Sequence, residues 1–337
     1  MKLLRLISNK VVVAYVVAVV AASAVTAGLV AGTRSATPHG SAPPHTVVER
    51  PKQAVQLYSP FTGEPISSLR PVIAVKIDNI VFARPQTGIG KADLVYVIPV
   101  EGGLSRFMAV FSSSVPKVIG PVRSAREDDL ALLMQFGRPA FAYSGAQPQL
   151  LPLVEHHRTV DLYSNRVGGY YRDNGRIAPY NLYARGPALE AEAKGASVAR
   201  DIGFRFGPPP ATGGVPTASV SAGYSAASFS FTWSASHHTW IVSMDGQTAM
   251  TTDTDKMNAP TVVIQHTVVR KSRFIEWGAL PPYADSTGSG TAQVLRDGRV
   301  YQARWSRPSL NGGTKFTTPT GEPMNFERGP VWIVLEP

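Results

Sequence analysis

The sequence predicts an α/β domain followed by a mostly antiparallel β domain, with one N-terminal transmembrane helix ahead of both. Three observations carry that expectation. Short apolar runs interspersed with amphipathic segments continue to about residue 207, as strands buried on both faces and their covering helices do. Period-two alternation and Asp-Gly turns take over after residue 217. Residues 11–33 carry no charge and are mostly Val and Ala.

That uncharged stretch reaches roughly 30 Å as a helix, about the thickness of a hydrocarbon core. Lys2, Arg5 and Lys10 precede it, so the positive-inside rule keeps residues 1–10 cytoplasmic and everything after residue 34 outside the inner membrane. A secretory apolar region is usually shorter, about 7–15 residues, which favours an uncleaved signal-anchor. Ala22-Ser23-Ala24 and Val25-Thr26-Ala27 keep cleavage open. Residues 34–54 are rich in Pro, Ser and Thr and read as a linker.

The α/β domain is expected over 55–207. Its strands are read at Pro71–Ile77, Asp93–Ile98, Phe107–Phe111 and Ala140–Tyr143. Ser124 with Glu127 three residues on forms a capping-box pattern, which predicts a helix running from Ser124 to Phe136. Further helices are expected over Pro148–Glu155 and Pro187–Arg200, the latter stopping near Gly203. Residues 208–217 (PPPATGGVPT) mark a boundary. The β domain, 218–337, shows strands at Ser228–Ser234, Trp240–Met244 and Thr261–Val269, a hairpin around Asp297-Gly298, and a closing strand at Gly329–Leu335.

Composition narrows the function classes. The chain has 337 residues, 33 Lys+Arg, 23 Asp+Glu and no Cys. No disulfide, thiol nucleophile, iron–sulfur cluster or Cys-ligated zinc is available, nor a Cys to carry a lipid. Of the net +10, four charges fall in residues 1–34, leaving +6 on the rest. Unclustered, that excess gives no footprint for nucleic acid, and none is expected as a partner.

Arginine concentrates in the first half beside turn residues. Arg84 follows the first strand, Glu101 and Arg106 bracket the second connection, and Arg123, Ser124 and Arg126 lead into the expected helix. Arg172, Asp173 and Asn181 come later. A guanidinium donates two parallel hydrogen bonds to carboxylate or phosphate and stays charged. These nine residues are the candidate walls of a pocket for an anionic cell-wall component. The competing reading is that Glu101, Asp128 and Asp173 pair the arginines internally and brace loops.

The ordered motifs Ala83-Arg-Pro-Gln86, Lys91-Ala-Asp-Leu-Val-Tyr96, Glu101-Gly-Gly103, Arg106-Phe107, Phe111, Gly120-Pro-Val-Arg-Ser-Ala-Arg126, Tyr171-Arg-Asp173 and Arg176-x-Ala-Pro-x-Asn-Leu-Tyr183 resemble the YerB-like family of bacterial envelope proteins. The resemblance covers roughly 58–337, and Trp233, Asp253, Val262–Gln265, Trp305 and Trp332-Ile333 extend it into the second half. It implies an α/β domain and a β domain tethered outside the membrane, and it supplies no reaction. Family members are commonly lipoproteins; here residues 11–33 would replace the lipid. The family pattern leads one to expect His where Tyr180 stands, so chemistry needing that imidazole is in doubt.

Weaker signals point to solvation or core. His156-His157 and His237-His238 are adjacent and diverge on any regular element, and Asp253-x-Asp255 lacks a third calcium-loop carboxylate. No metal and no cofactor are expected. Neither Ser144 nor Ser164 lies in a nucleophile elbow, and Gly88–Lys91 lacks P-loop spacing. Trp233, Trp240, Trp277, Trp305 and Trp332 all fall in the second half and read as core rather than a glycan platform. Three functions stay open: a membrane-anchored envelope protein binding an anion, an enzyme acting on a phosphate-linked envelope precursor, and a structural partner of a membrane complex. The enzyme reading leans on a loose similarity of arrangement to LytR–CpsA–Psr glycopolymer transferases, without their proline-arginine-aspartate motif.

Overall fold

The computed structural model describes residues 56–337 apart from Trp277, and the signal-anchor expected over residues 11–33 lies outside them. Among the described residues no helix is long and apolar enough to cross a membrane. The described residues form one unit.

The first half is far more β than the α/β expectation. Its strands are β1 (Ile73–Asp78), β2 (Leu94–Pro99), β3 (Ser105–Phe111), β4 (Ala140–Tyr143) and β5 (Val160–Tyr163). Its α-helices are short: α1 (Glu127–Leu133), α2 (Leu151–Glu155) and α3 (Gly186–Glu192). The second half adds β6 (Gly214–Pro216), β7 (Ser219–Tyr224), β8 (Ala227–Ser234), β9 (Thr239–Met244), β10 (Thr261–His266), β11 (Gly288–Arg296), β12 (Arg299–Arg307) and β13 (Val331–Glu336).

Each helical departure has a local cause. α1 begins three residues after Ser124, because the Asp129 carboxylate, not Glu127, reaches back to accept the Arg126 backbone N–H at 2.7 Å. α3 ends at Glu192, since Gly195 takes φ +77° and the chain beyond turns extended, Val198 bridging to Pro71. The strand read as Thr261–Val269 stops at His266, and Val269–Lys271 leaves to pair with Pro282–Ala284.

Ten of the eleven strands of the main sheet follow the order β6-β12-β11-β10-β13-β2-β3-β1-β4-β5, and Lys315–Thr317 pairs beside β6 on β12. The sheet therefore runs across the Pro/Gly boundary. The last strand does this: β13 lies parallel to β10 of its own half and parallel to β2 of the other, with Val331 opposite Leu94. Its run Val-Trp-Ile-Val-Leu is buried on both faces, as a central strand requires.

Alternation sends each strand's side chains to two cores. Val75, Val97, Phe107, Val262 and Trp332 meet Phe229, Phe231 and Trp240 of the small β7-β8-β9 sheet on one face. Tyr96, Met108, Val263 and Ile333 meet Leu132, Leu133 and Phe136, in and just after α1, on the other. Trp240, Trp305 and Trp332 are core, as read; Trp277 is outside the described residues. Strands β1, β2, β4, β5, β10 and β13 share one direction, so their carboxyl ends and the start of antiparallel β3 lie along one edge. The arginine loops emerge there, the customary ligand side of a sheet.

Candidate functional site

The site grows from a register pair. Asp78 at the end of β1 stands opposite Arg106 near the start of β3, on the face that carries Lys76 and α1. Lys76 and Asp129 are wholly buried and form an ion pair at 2.6 Å. That pair fixes α1, and α1 fixes the loop Arg123–Arg126 above the sheet edge.

Arg126 is closed. Its Nε and Nη2 meet the two Glu101 oxygens at 2.6 and 3.0 Å, Nη2 reaches Glu276 at 3.3 Å, and Nη1 donates to Ala125 O at 2.9 Å. Burial alone would push the Glu101 carboxyl up; the hydrogen bond and charge of Arg126, with Arg106 behind, outweigh it and hold Glu101 below its ordinary range.

Arg106 is different. Its guanidinium lies against Arg126 with only 7% of the residue exposed, and it makes no ion pair among the described residues. Nη1 donates to Ser124 O at 2.8 Å, while Nε has no partner. Burial, then the neighbouring Arg126, pull its pKa down to about 10. Arg123 is half-open: Nε sits 2.8 Å from Asp78 Oδ2, yet neither atom completes an aligned hydrogen bond. Its guanidinium lies 5.2 Å from the Tyr180 ring centre.

The remaining candidates sit apart from this centre. Arg84 donates to Asn79 O at 2.8 Å and pairs with Asp245 of the second half at 2.7 Å. Arg172 donates to Asn181 Oδ1 at 2.7 Å, and Asn181 Nδ2 returns to the Asp173 carbonyl at 3.2 Å, a closed turn. Ser124 contributes its carbonyl to Arg106. The expected nine-residue pocket is thus not one cavity: Glu101, Arg106, Arg123, Ser124 and Arg126 converge, while Arg84, Arg172, Asp173 and Asn181 brace loops. Sequence reasoning passed over Asp78 and Glu276, and it noted Tyr180 only for an expected His. Only Asp78 left a signal, a polar residue ending an apolar strand just before the Arg84 turn.

Models of a protein family of unknown function, DUF3048, match this chain twice: the N-terminal domain over 61–199 and the C-terminal domain over 220–333. The chain belongs to the DUF3048 family. A relative described as the putative lipoprotein YerB of Bacillus subtilis (strain 168) is 41% identical over 102 residues. That match spans 29% of this chain and only 30% of the relative's length. The crystal structure of the YerB protein from Bacillus subtilis superposes with a TM-score of 0.70 over 83% of this chain and 96% of that one, at 24% identity, which speaks to the fold alone.

In this DUF3048 chain the two family domains are bound by side chains as well as by the shared sheet. Asp253 is exposed, as read, and its Oδ1 also accepts the Gly88 backbone N–H at 2.9 Å, bracing a first-half loop. Tyr224 Oη donates to the carbonyls of Val97 and Leu335, at 3.0 and 2.8 Å, across the β2–β13 seam. Among the described residues no group of three or more His, Asp or Glu is arranged to hold a metal.

Proposed function

We propose that this is a membrane-attached, extracytoplasmic envelope protein that holds an anionic group of a cell-wall component at the Arg106–Arg123 centre. One observation carries the binding half. Arg106 is a buried guanidinium with a single hydrogen bond, no ion pair and a bare Nε among the described residues, and Arg123 beside it keeps unaligned donors facing partial exposure. Buried donors without partners cost free energy, and an anion supplying oxygen acceptors there relieves that cost.

The location rests on the basic tip and the uncharged residues 11–33, and on the lipoprotein description of the relative. Attachment through those residues fits a family member without a lipidated Cys. The purely structural reading draws support from Arg84 and Arg126, both spent on carboxylates.

The test is co-sedimentation of the full chain with purified bacterial cell walls. Arg123→Ala should lower retention about tenfold, the loss of one charge-assisted interaction. Because that variant also leaves the buried Asp78 carboxylate without its cation, Arg123→Lys is the folded control: it keeps a charge beside Asp78, should unfold near the parent temperature and should still lose retention with the planar guanidinium. Equal retention of both variants and the parent would leave the structural reading in possession.

A further inference from the structure

On the α1 face, away from that centre, lies a cleft of about 500 Å³, within the size range of small-ligand sites. Leu130 and Met134 of the α1 segment, Leu153 of α2 and Leu310 give it an apolar floor. Leu153 and Leu310 are 46% and 47% exposed, so this floor is open to solvent rather than filled by the chain.

Its rim is cationic and largely unspent. Arg158 follows α2 and has no hydrogen bond or ion pair through its guanidinium among the described residues. Arg270 lies with its guanidinium 3.7 Å from the Tyr283 ring centre and meets no carboxylate. Arg273 pairs with Glu127, the one acidic residue of the lining, which Ser272 also engages. His157 adds a buried Nδ1 without a partner, and burial pushes its pKa down, leaving it neutral near pH 7. Three arginines against one glutamate leave +2 on the lining (3 − 1). A ring of guanidinium groups over an apolar floor matches a ligand with a dianionic head and a hydrocarbon portion.

We infer that this cleft binds a phosphate monoester bearing an apolar group, independently of the Arg106–Arg123 centre. Phosphatidic acid in a membrane and a soluble alkyl phosphate share that chemistry. Arg158 and Arg270 grip the phosphate, and Leu130, Met134, Leu153 and Leu310 cover the chain.

Isothermal titration of the full chain with hexyl phosphate, inorganic phosphate and hexanol tests this. Hexyl phosphate should bind at least about tenfold tighter than either alone, as expected when charge and apolar contact both contribute. Arg158→Ala with Arg270→Ala should weaken it by a further factor of about ten or more, with thermal unfolding measured to confirm the fold. Arg158→Ala alone, on an exposed side chain with no partner among the described residues, keeps the test valid if the double variant misfolds. Leu153→Asp should weaken hexyl phosphate and leave inorganic phosphate unaffected. Phosphatidylcholine vesicles with and without phosphatidic acid separate the sources: retention that needs phosphatidic acid and both arginines marks a lipid, and hexyl phosphate binding without such retention marks a soluble ester. Equal affinity for hexyl phosphate and inorganic phosphate, or no loss in the arginine variants, overturns the assignment.

Discussion

The arginines at the sheet's carboxyl edge and those rimming the α1-face cleft have opposite fates. At the edge, three guanidinium groups (Arg106, Arg123, Arg126) face three carboxylates (Asp78, Glu101, Glu276), and Arg126 is closed inside the fold. At the cleft, three face one, and Arg158 and Arg270 stay available. The lesson concerns what an arginine motif means. The Arg84 and Arg126 motifs tie the two DUF3048 domains together, through Asp245 and Glu276, whereas Arg158 and Arg270 lie in no motif and keep their charge unspent.

The sharpest way to break this comparison is Arg126→Ala. It leaves Glu101 and Glu276 without their cation in a largely buried setting, where removing one partner typically costs about 3 kcal/mol or more. Urea unfolding should show that loss, and a change under about 1 kcal/mol would mean the edge cluster is not a brace.

Asp128→Asn should act in the opposite direction. Burial, then the adjacent Asp129, raise the Asp128 pKa, so the folded state binds its proton more readily than the unfolded state. The stability from that proton is complete below the ordinary aspartate range and is lost as pH rises through the raised value. Asparagine removes the charge while keeping an acceptor for the Ala284 N–H. Melting temperature should therefore rise at pH 8, by about 2 °C for each kcal/mol recovered, and hardly change at pH 4. An equal rise at both pH values would assign the effect to something other than the charge.

A smaller effect is expected from Arg84→Ala, whose partner Asp245 is 44% exposed. Exposed pairs contribute less than about 1 kcal/mol, and the lost Asn79 carbonyl bonds add a similar amount. The Asp245→Ala variant should cost less than Arg84→Ala, which a matched pair of denaturation curves checks.

Much of the fold was legible. Ala140–Tyr143 and the hairpin around Asp297-Gly298 announced themselves through apolar runs and turn chemistry. The family likewise followed from short motifs, three of which hold the cis peptides Arg84-Pro85, Gly120-Pro121 and Ala178-Pro179. What stayed hidden was long-range. Nothing local in Val331–Glu336 says that it pairs with Leu94–Val97 across the boundary, although burial on both faces was a hint. The helices were over-read because an Ala/Glu/Lys-rich composition signals propensity, while Gly195 and the Val198 bridge decide where α3 ends. Of the site, the sequence placed Arg106, Arg123 and Arg126 near one another, but Arg84 and Arg172 lie elsewhere, and the partners Asp78 and Glu276 depend on register and on a returning hairpin.

Arg126 is a structural cation of the sheet edge, and Arg158 is a spare cation of the cleft. Urea unfolding of Arg126→Ala and Arg158→Ala in the full chain, measured side by side at pH 7, tests that contrast most directly. A loss of about 3 kcal/mol is expected for Arg126→Ala, and a change within about 0.5 kcal/mol of zero for Arg158→Ala. Equal losses in the two variants would contradict it.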